Sequence, residues 1–203
     1  MKKIKILNLI IVLFLFSSCG PNDDDGTKSK LPEVTTEGKN TFGCKIDDQI
    51  FLPRDSGGLN LSDPVPILKA LYVYDNYYFG GYRLNIFADN EILRKSIRIE
   101  MTGSQTPLEE GAIYPIIVKE NDNIHATYDF WDKIVWNGDG TGYQPVYEYY
   151  TNNEVYGEME IIKLDTTNKI ISGTFWFDCK EVNNGEIARI REGRFDIKYT
   201  NSF

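Results

Sequence analysis

Apolar and polar side chains alternate strictly and repeatedly from about residue 41 to the C terminus, a pattern that predicts half-buried β-strands. Within residues 171–179, Phe175, Phe177 and Cys179 share one face while Thr174, Trp176 and Asp178 take the other. Phe195, Ile197 and Tyr199 oppose Arg194, Asp196 and Lys198 in the same way. Ile97, Ile99 and Met101 oppose Ser96, Arg98 and Glu100, and Leu84, Ile86 and Ala88 oppose Arg83, Asn85 and Phe87. Turn-forming groups punctuate the runs at Asp47-Asp48, Asp75-Asn76, Asp89-Asn90, Gly103-Ser104, Asp122-Asn123 and Asn183-Asn184-Gly185. No stretch after Cys19 keeps a helical period, and residues 91–96 have room for one helical turn. Many short strands joined by polar turns predict an all-β domain, a single antiparallel β-sandwich or flattened β-barrel. One face of each sheet would bury apolar side chains and the other would meet water.

The first 40 residues read differently. Lys2, Lys3 and Lys5 precede an apolar run over residues 9–16, then Ser17, Ser18 and Cys19. A basic start, a short apolar core and small residues before the cut are the requirements of a signal peptide. The run is shorter than the roughly 20 apolar residues that span a bilayer. Residues 1–18 are therefore expected to be a lipoprotein signal peptide, with Cys19 the site of lipid attachment and new N terminus. Phe16 stands where an aliphatic residue is usual. Residues 19–40, with Asp23-Asp24-Asp25 and no aromatic side chain, are expected to be a flexible acidic linker. Residues 41–203 then form the all-β domain, a length suited to one core.

Charge narrows the partners. The chain has 22 basic and 30 acidic side chains, net −8, and losing the three lysines of the signal peptide takes the balance to 19 against 30, net −11. Such a surface repels nucleic acid and anionic lipid, so no nucleic-acid partner is expected. Contact with a membrane is expected through the N-terminal lipid alone.

The acidic run after Cys19 resembles the export signal of Bacteroidetes-type surface lipoproteins. Two further segments carry a family resemblance: residues 38–44 (Gly-Lys-Asn-Thr-Phe-Gly-Cys), and residues 170–175 (Ile-Ile-Ser-Gly-Thr-Phe) together with 192–196 (Glu-Gly-Arg-Phe-Asp). These resemble an uncharacterised family of Bacteroidetes-type surface lipoproteins, a domain of unknown function. The resemblance implies an all-β lipoprotein at the outer membrane, facing outward, with a periplasm-facing location as the alternative. It brings no catalytic residue with it.

Candidate chemistry is sparse. His125 is the only histidine, so no Ser-His-Asp or Cys-His pair exists without it, and no GxSxG elbow accompanies it. Cys44 and Cys179 both fall on apolar faces, either bridged as a disulfide outside the cytoplasm or held as buried thiols. Residues 137–142 (Asn-Gly-Asp-Gly-Thr-Gly) with Glu148 echo a calcium loop, but Asn137 and Thr141 replace acidic or amide ligands, and a strand connection explains the glycines. No metal and no cofactor is expected. Glu158 and Glu160 would share a strand face, as paired glycosidase carboxylates do, yet Lys163 stands where a further acid belongs. Asp165-Thr166-Thr167 resembles an O-glycosylation acceptor of this bacterial group.

The aromatic-rich stretch around the glycine loop is the strongest candidate site. Trp131, Trp136, Tyr143, Tyr147, Tyr149 and Tyr150 occur there among Asp132, Asn137, Asp139 and Gln144. Flat aromatic faces beside amides and carboxylates suit a sugar ring. Trp131, Trp136, Asn137, Asp139, Tyr143 and Tyr147 are the expected ligand-binding residues, although alternation must send some of these rings into the core. The expected role is a non-enzymatic binding or accessory lipoprotein with a glycan or another envelope protein as partner. The alternatives are a carboxylate-dependent glycoside-processing enzyme and a structural subunit of an envelope complex.

Overall fold

The computed structural model describes residues 30–57, 67–144 and 146–202; the expected signal peptide, Cys19 and the first part of the expected linker lie outside the described residues. Thirteen strands occur among them and no helix: β1 (Thr41–Ile46), β2 (Gln49–Phe51), β3 (Leu68–Asp75), β4 (Gly81–Asn90), β5 (Lys95–Ser104), β6 (Ile113–Ile116), β7 (Ile124–Trp131), β8 (Val135–Trp136), β9 (Gly142–Tyr143), β10 (Val146–Tyr150), β11 (Gly157–Asp165), β12 (Ile170–Glu181) and β13 (Ile187–Lys198). Eleven of them make one sheet in the order β2-β1-β13-β12-β11-β6-β7-β5-β4-β3, with β10 pairing both β12 and β7; β8 and β9 form a separate hairpin. All the strand pairings are antiparallel except β6 with β7. The protein is all-β, as the alternation predicts.

The sheet curls until its ends meet. The Tyr72 N–H donates to Thr200 O at 3.1 Å and the Thr200 N–H to Ala70 O at 2.9 Å, joining β3 to the chain beyond β13. A second parallel bridge links Arg54 to Asn90. Closure of this kind removes exposed strand edges. Every apolar series read from the sequence faces the enclosed core: Leu84, Ile86, Ala88, Ile97, Ile99, Met101, Phe175, Phe177, Cys179, Phe195, Ile197 and Tyr199 are all buried. Phe175 is the hub, with ring centroids 5.3 Å from Phe42, 6.1 Å from Phe177 and 6.3 Å from Phe195.

Some turn assignments move. Asp47 and Asp48 do form a tight turn, both at positive φ (46° and 69°), but Asp89-Asn90 and Gly103-Ser104 are the closing residues of β4 and β5. Cross-strand hydrogen bonding carries these turn-prone residues to the strand ends, and the β4–β5 turn falls on residues 91–94.

The ordered domain also begins earlier than composition implies. Residues 30–40, read as linker, are tied down by Asp196, which is 1% exposed. Its carboxylate accepts from the Thr35 hydroxyl at 2.6 Å and from the N–H groups of Glu37 (3.0 Å), Gly38 (2.7 Å) and Lys39 (3.2 Å). Gly38 sits at φ 71°, and a Cβ there would meet Ile170 and Lys198 at 3.0 Å, so the tight path over Asp196 needs glycine. Further on, Asn40 Oδ1 accepts from the Lys198 N–H, and Pro32 O accepts from Arg194. A polar, aromatic-free segment is thus ordered chiefly by hydrogen bonds to the buried Asp196 carboxylate.

Cys44 and Cys179 are both buried free thiols. Cys44 lies opposite Phe51 on β1 and Cys179 opposite Ala188 on β12, with β13 between those strands. Burial pushes both thiols well above the usual thiol range, which suits a packing role.

Candidate functional site

Alternation that buries one face of β5, β7 and β10 turns the other face outward, and register then fixes which outward side chains meet. Ser96 lies opposite Asp129, Arg98 opposite Thr127 and Glu100 opposite His125. Across the other edge of β7, Glu148 faces Asp129 and Tyr150 faces Thr127. On the far side of β5, Asp89, Phe87 and Asn85 continue the same three rows. The result is a polar grid four strands wide.

Its centre is unusual for a sheet exterior. His125, Thr127 and Asp129 point outward, yet they are only 3%, 6% and 7% exposed. Thr127 Oγ1 has no hydrogen-bond partner, and neither does either ring nitrogen of His125. His125 Nε2 approaches Glu100 Oε2 at 3.5 Å, near enough to interact electrostatically but long for a hydrogen bond. Buried polar atoms are normally satisfied, so unpaired ones aligned along a single strand call for an explanation.

The electrostatics are perturbed in the same place. Burial pushes the Asp129 carboxyl above the ordinary range; Arg98, 3.9 Å away, opposes the shift and Glu148 reinforces it. Burial, and after it Glu91, raises Asp89 likewise. Glu100 moves the other way, held low chiefly by His125. Opposite shifts within one patch of carboxylates mark it out as a functional candidate.

Depressions lie at both ends of the grid. At one end Asp89, Glu91, Arg94, Trp131 and Gln144 line an open hollow of about 270 Å³. At the other, Tyr150 opens onto a basin of about 680 Å³ walled by Asn152, Asn153, Asn183, Asn184 and the ion pair of Lys180 with Glu154. Trp131 and Thr127 are four residues apart on β7, roughly 13 Å at strand rise. The whole trail is long enough for several sugar rings, with an aromatic and amide groups at each end.

The expected ligand-binding residues are divided by this geometry. Trp131 lines the first hollow. Tyr147 turns inward and stacks on Phe130, ring centroids 5.8 Å apart. Tyr149 likewise packs on Tyr128 at 5.0 Å. Trp136, Asn137 and Asp139 belong to the β8–β9 hairpin, where Tyr143 pairs with Val135. Trp136 is 69% exposed, and its ring lies across Gly142. The polar groups of that hairpin are spent on the turn itself: Asn137 donates to the Thr141 hydroxyl, and Asp139 accepts from the Thr141 hydroxyl and N–H. Those two bonds hold the Asp139 carboxyl low. Glu148, the distant partner of the calcium-like pattern, stands on β10 opposite Asp129 instead. Among the described residues no group of three acidic, His or Cys side chains is arranged to hold a metal ion.

Glu158 and Glu160 do share an outward face, on β11. Trp176 Nε1 donates to Glu158 at 3.4 Å, and the Thr174 hydroxyl to Glu160 at 3.5 Å. Lys163 pairs with Glu110. Asp165 caps the exposed β11–β12 turn through the N–H groups of Thr167 and Asn168.

Asp89, Glu91, Arg94, Thr127 and Asp129 were not singled out by sequence reasoning. Alternation reveals that Thr127 and Asp129 share a face with His125; which strands flank them is a matter of register alone. No family model, curated protein or solved structure matches the chain.

Proposed function

We propose that this chain is a lipid-anchored outer-membrane lipoprotein, displayed outward, whose domain binds a glycan along the outer face of β7 and β10 without altering it. Anchorage is supported by the residues around Cys19 and the acidic run behind it. Glycan binding is supported above all by the two open hollows at the ends of this face, one lined by Trp131, Asp89 and Gln144 and the other by Tyr150, Asn152, Asn153, Asn183 and Asn184. Hydroxyl-rich ligands supply donors and acceptors to those amides and carboxyl groups, and Trp131 and Tyr150 offer ring faces for stacking at either end.

Replacing Trp131 by alanine should weaken glycan binding about ten- to thirty-fold, the loss of one well-placed aromatic anchor, as measured by calorimetry with the best ligand from a glycan panel. Undiminished affinity would remove the site from this face. Display is tested on intact cells: added trypsin should cleave the protein before lysis, and cleavage only after lysis would contradict outward exposure.

One observation favours the enzymatic alternative. Asp129 and Glu148 are directly opposed across β7 and β10, where Cβ atoms lie about 4.5–5.5 Å apart. A pair of carboxyl-bearing residues on adjacent positions, one raised by burial, is the kind of arrangement a glycosidase uses. Under that reading Glu148→Gln abolishes turnover while binding persists; under the binding reading there is no turnover to lose.

A further inference from the structure

The β3–β4 turn displays aromatic side chains to an extent that folding does not explain. Tyr77 is 94% exposed and Tyr78 88%, with Tyr74 and Phe79 about half exposed beside them. Their presentation is built. Asp75 Oδ1 accepts from the N–H groups of both Tyr77 and Tyr78, and its other oxygen pairs with Arg83 at 3.3 Å. The Arg83 guanidinium lies 4.3 Å from the centre of the Phe79 ring. Gln105 braces the turn from β5's far end by donating to Gly80 O and Gly103 O. Beneath, a file of aromatics leads out of the core: buried Tyr72 stacks on Tyr82 at 5.9 Å, and Tyr82 meets Tyr74 edge-on at 5.0 Å. The turn is braced by these contacts while its two leading rings touch water. Apolar display on this scale marks an interaction surface.

We propose that this turn is a second binding platform, separate from the β7–β10 face, and that its occupant is a neutral polysaccharide. Two observations select that class, and a third places the turn within its reach. From residue 72 to residue 83 the only charged side chains are Asp75 and Arg83, which neutralise each other. An uncharged tip on a chain of net −8 suits an uncharged ligand and gives an anionic polymer or lipid nothing to pair with. Second, Tyr77 and Tyr78 each stand clear of neighbours, so ring faces are free to stack on sugar C–H faces while the phenol hydroxyls and Gln105 meet hydroxyls. A protein hot spot would instead sit inside a packed patch with a sealing rim. Third, Lys30 and Leu68 line one depression, and Asp75 lies seven residues further along β3, about 23 Å away at strand rise. A domain held from its N-terminal side presents this turn away from whatever holds it.

The test is affinity electrophoresis of the lipid-free chain through gels containing a neutral β-glucan, a neutral galactomannan or polygalacturonate. Phosphatidylcholine vesicles serve as a separate sedimentation arm. Retardation by a neutral polysaccharide is expected, and the double variant Tyr77→Ala/Tyr78→Ala should raise the apparent Kd at least about ten-fold with an unchanged thermal midpoint, because neither ring is packed. Equal retardation of the double variant and the parent overturns the platform. So does a parent retarded only by polygalacturonate, or by no polysaccharide, and so does a variant that differs only in vesicle binding. Trp131→Ala separates this proposal from the glycan reading of the β7–β10 face. If Trp131→Ala abolishes retardation while the tyrosine variant keeps it, the turn fails and the face stands; the reverse result leaves the turn standing and removes the face.

Discussion

Phe177→Ala is expected to lower the unfolding free energy by about 4 kcal/mol, the usual cost of emptying a buried phenylalanine site. The side chain is fully buried and stacks on Phe175 at 6.1 Å. Phe175 in turn touches Phe42 from β1 and Phe195 from β13. Removing Phe177 therefore loosens a contact set that spans three strands. Domains are stable by about 5–15 kcal/mol, so the variant should retain only part of its margin. Urea titration should show a lower midpoint at an unchanged slope. Phe177→Leu should lose less than about 1.5 kcal/mol, since volume and apolarity are largely kept. Equal stability of Phe177→Ala and the parent would mean the aromatic cluster does not organise the core.

The same cluster shows what a single sequence reveals here. Phe175, Phe177 and Cys179 could be placed on one buried face because a strand has period two and nothing in that segment breaks it. Residue 129 shows the limit. Its outward direction follows from Tyr128 being apolar, but its significance comes from Glu148 and Ser96 standing opposite, and pairing between distant strands leaves no mark on local periodicity. Composition also misled in both directions. Tyr147, chosen as an aromatic near a polar loop, is partly buried and stacks on Phe130 against the core. Tyr77 and Tyr78, which nothing in the sequence singles out, have the most exposed rings among the described residues. A tyrosine's amphipathic ring fits either setting, and only the fold decides between them.

Asp196→Ala is expected to cost about 3 kcal/mol at neutral pH and to free residues 30–39 from the domain. Hydrogen bonds to a buried carboxylate contribute roughly 1.5–3 kcal/mol each, and Asp196 accepts four. The loss stays well below their sum because the released segment regains water for its N–H groups once it lifts away. Trypsin should then cut after Lys39 in the variant under conditions that leave the parent intact there. The effect carries a pH signature. Burial pushes the Asp196 carboxyl up, but the Thr35 hydroxyl and the N–H groups of Gly38, Lys39 and Glu37 outweigh it and hold the group below the ordinary aspartate range. A carboxyl lowered by folding adds stability that is complete above the unfolded value, about 3.9. That stability is lost as pH falls through the folded value. Glu181 and Asp165, capped by backbone N–H groups, are held low as well, so acid weakens parent and variant alike; the difference between them isolates Asp196. That difference should be constant above about pH 5 and shrink below about pH 4. A gap that persists undiminished to pH 3 would show that the shape of the Asp196 side chain, and not its charge, anchors the N-terminal segment.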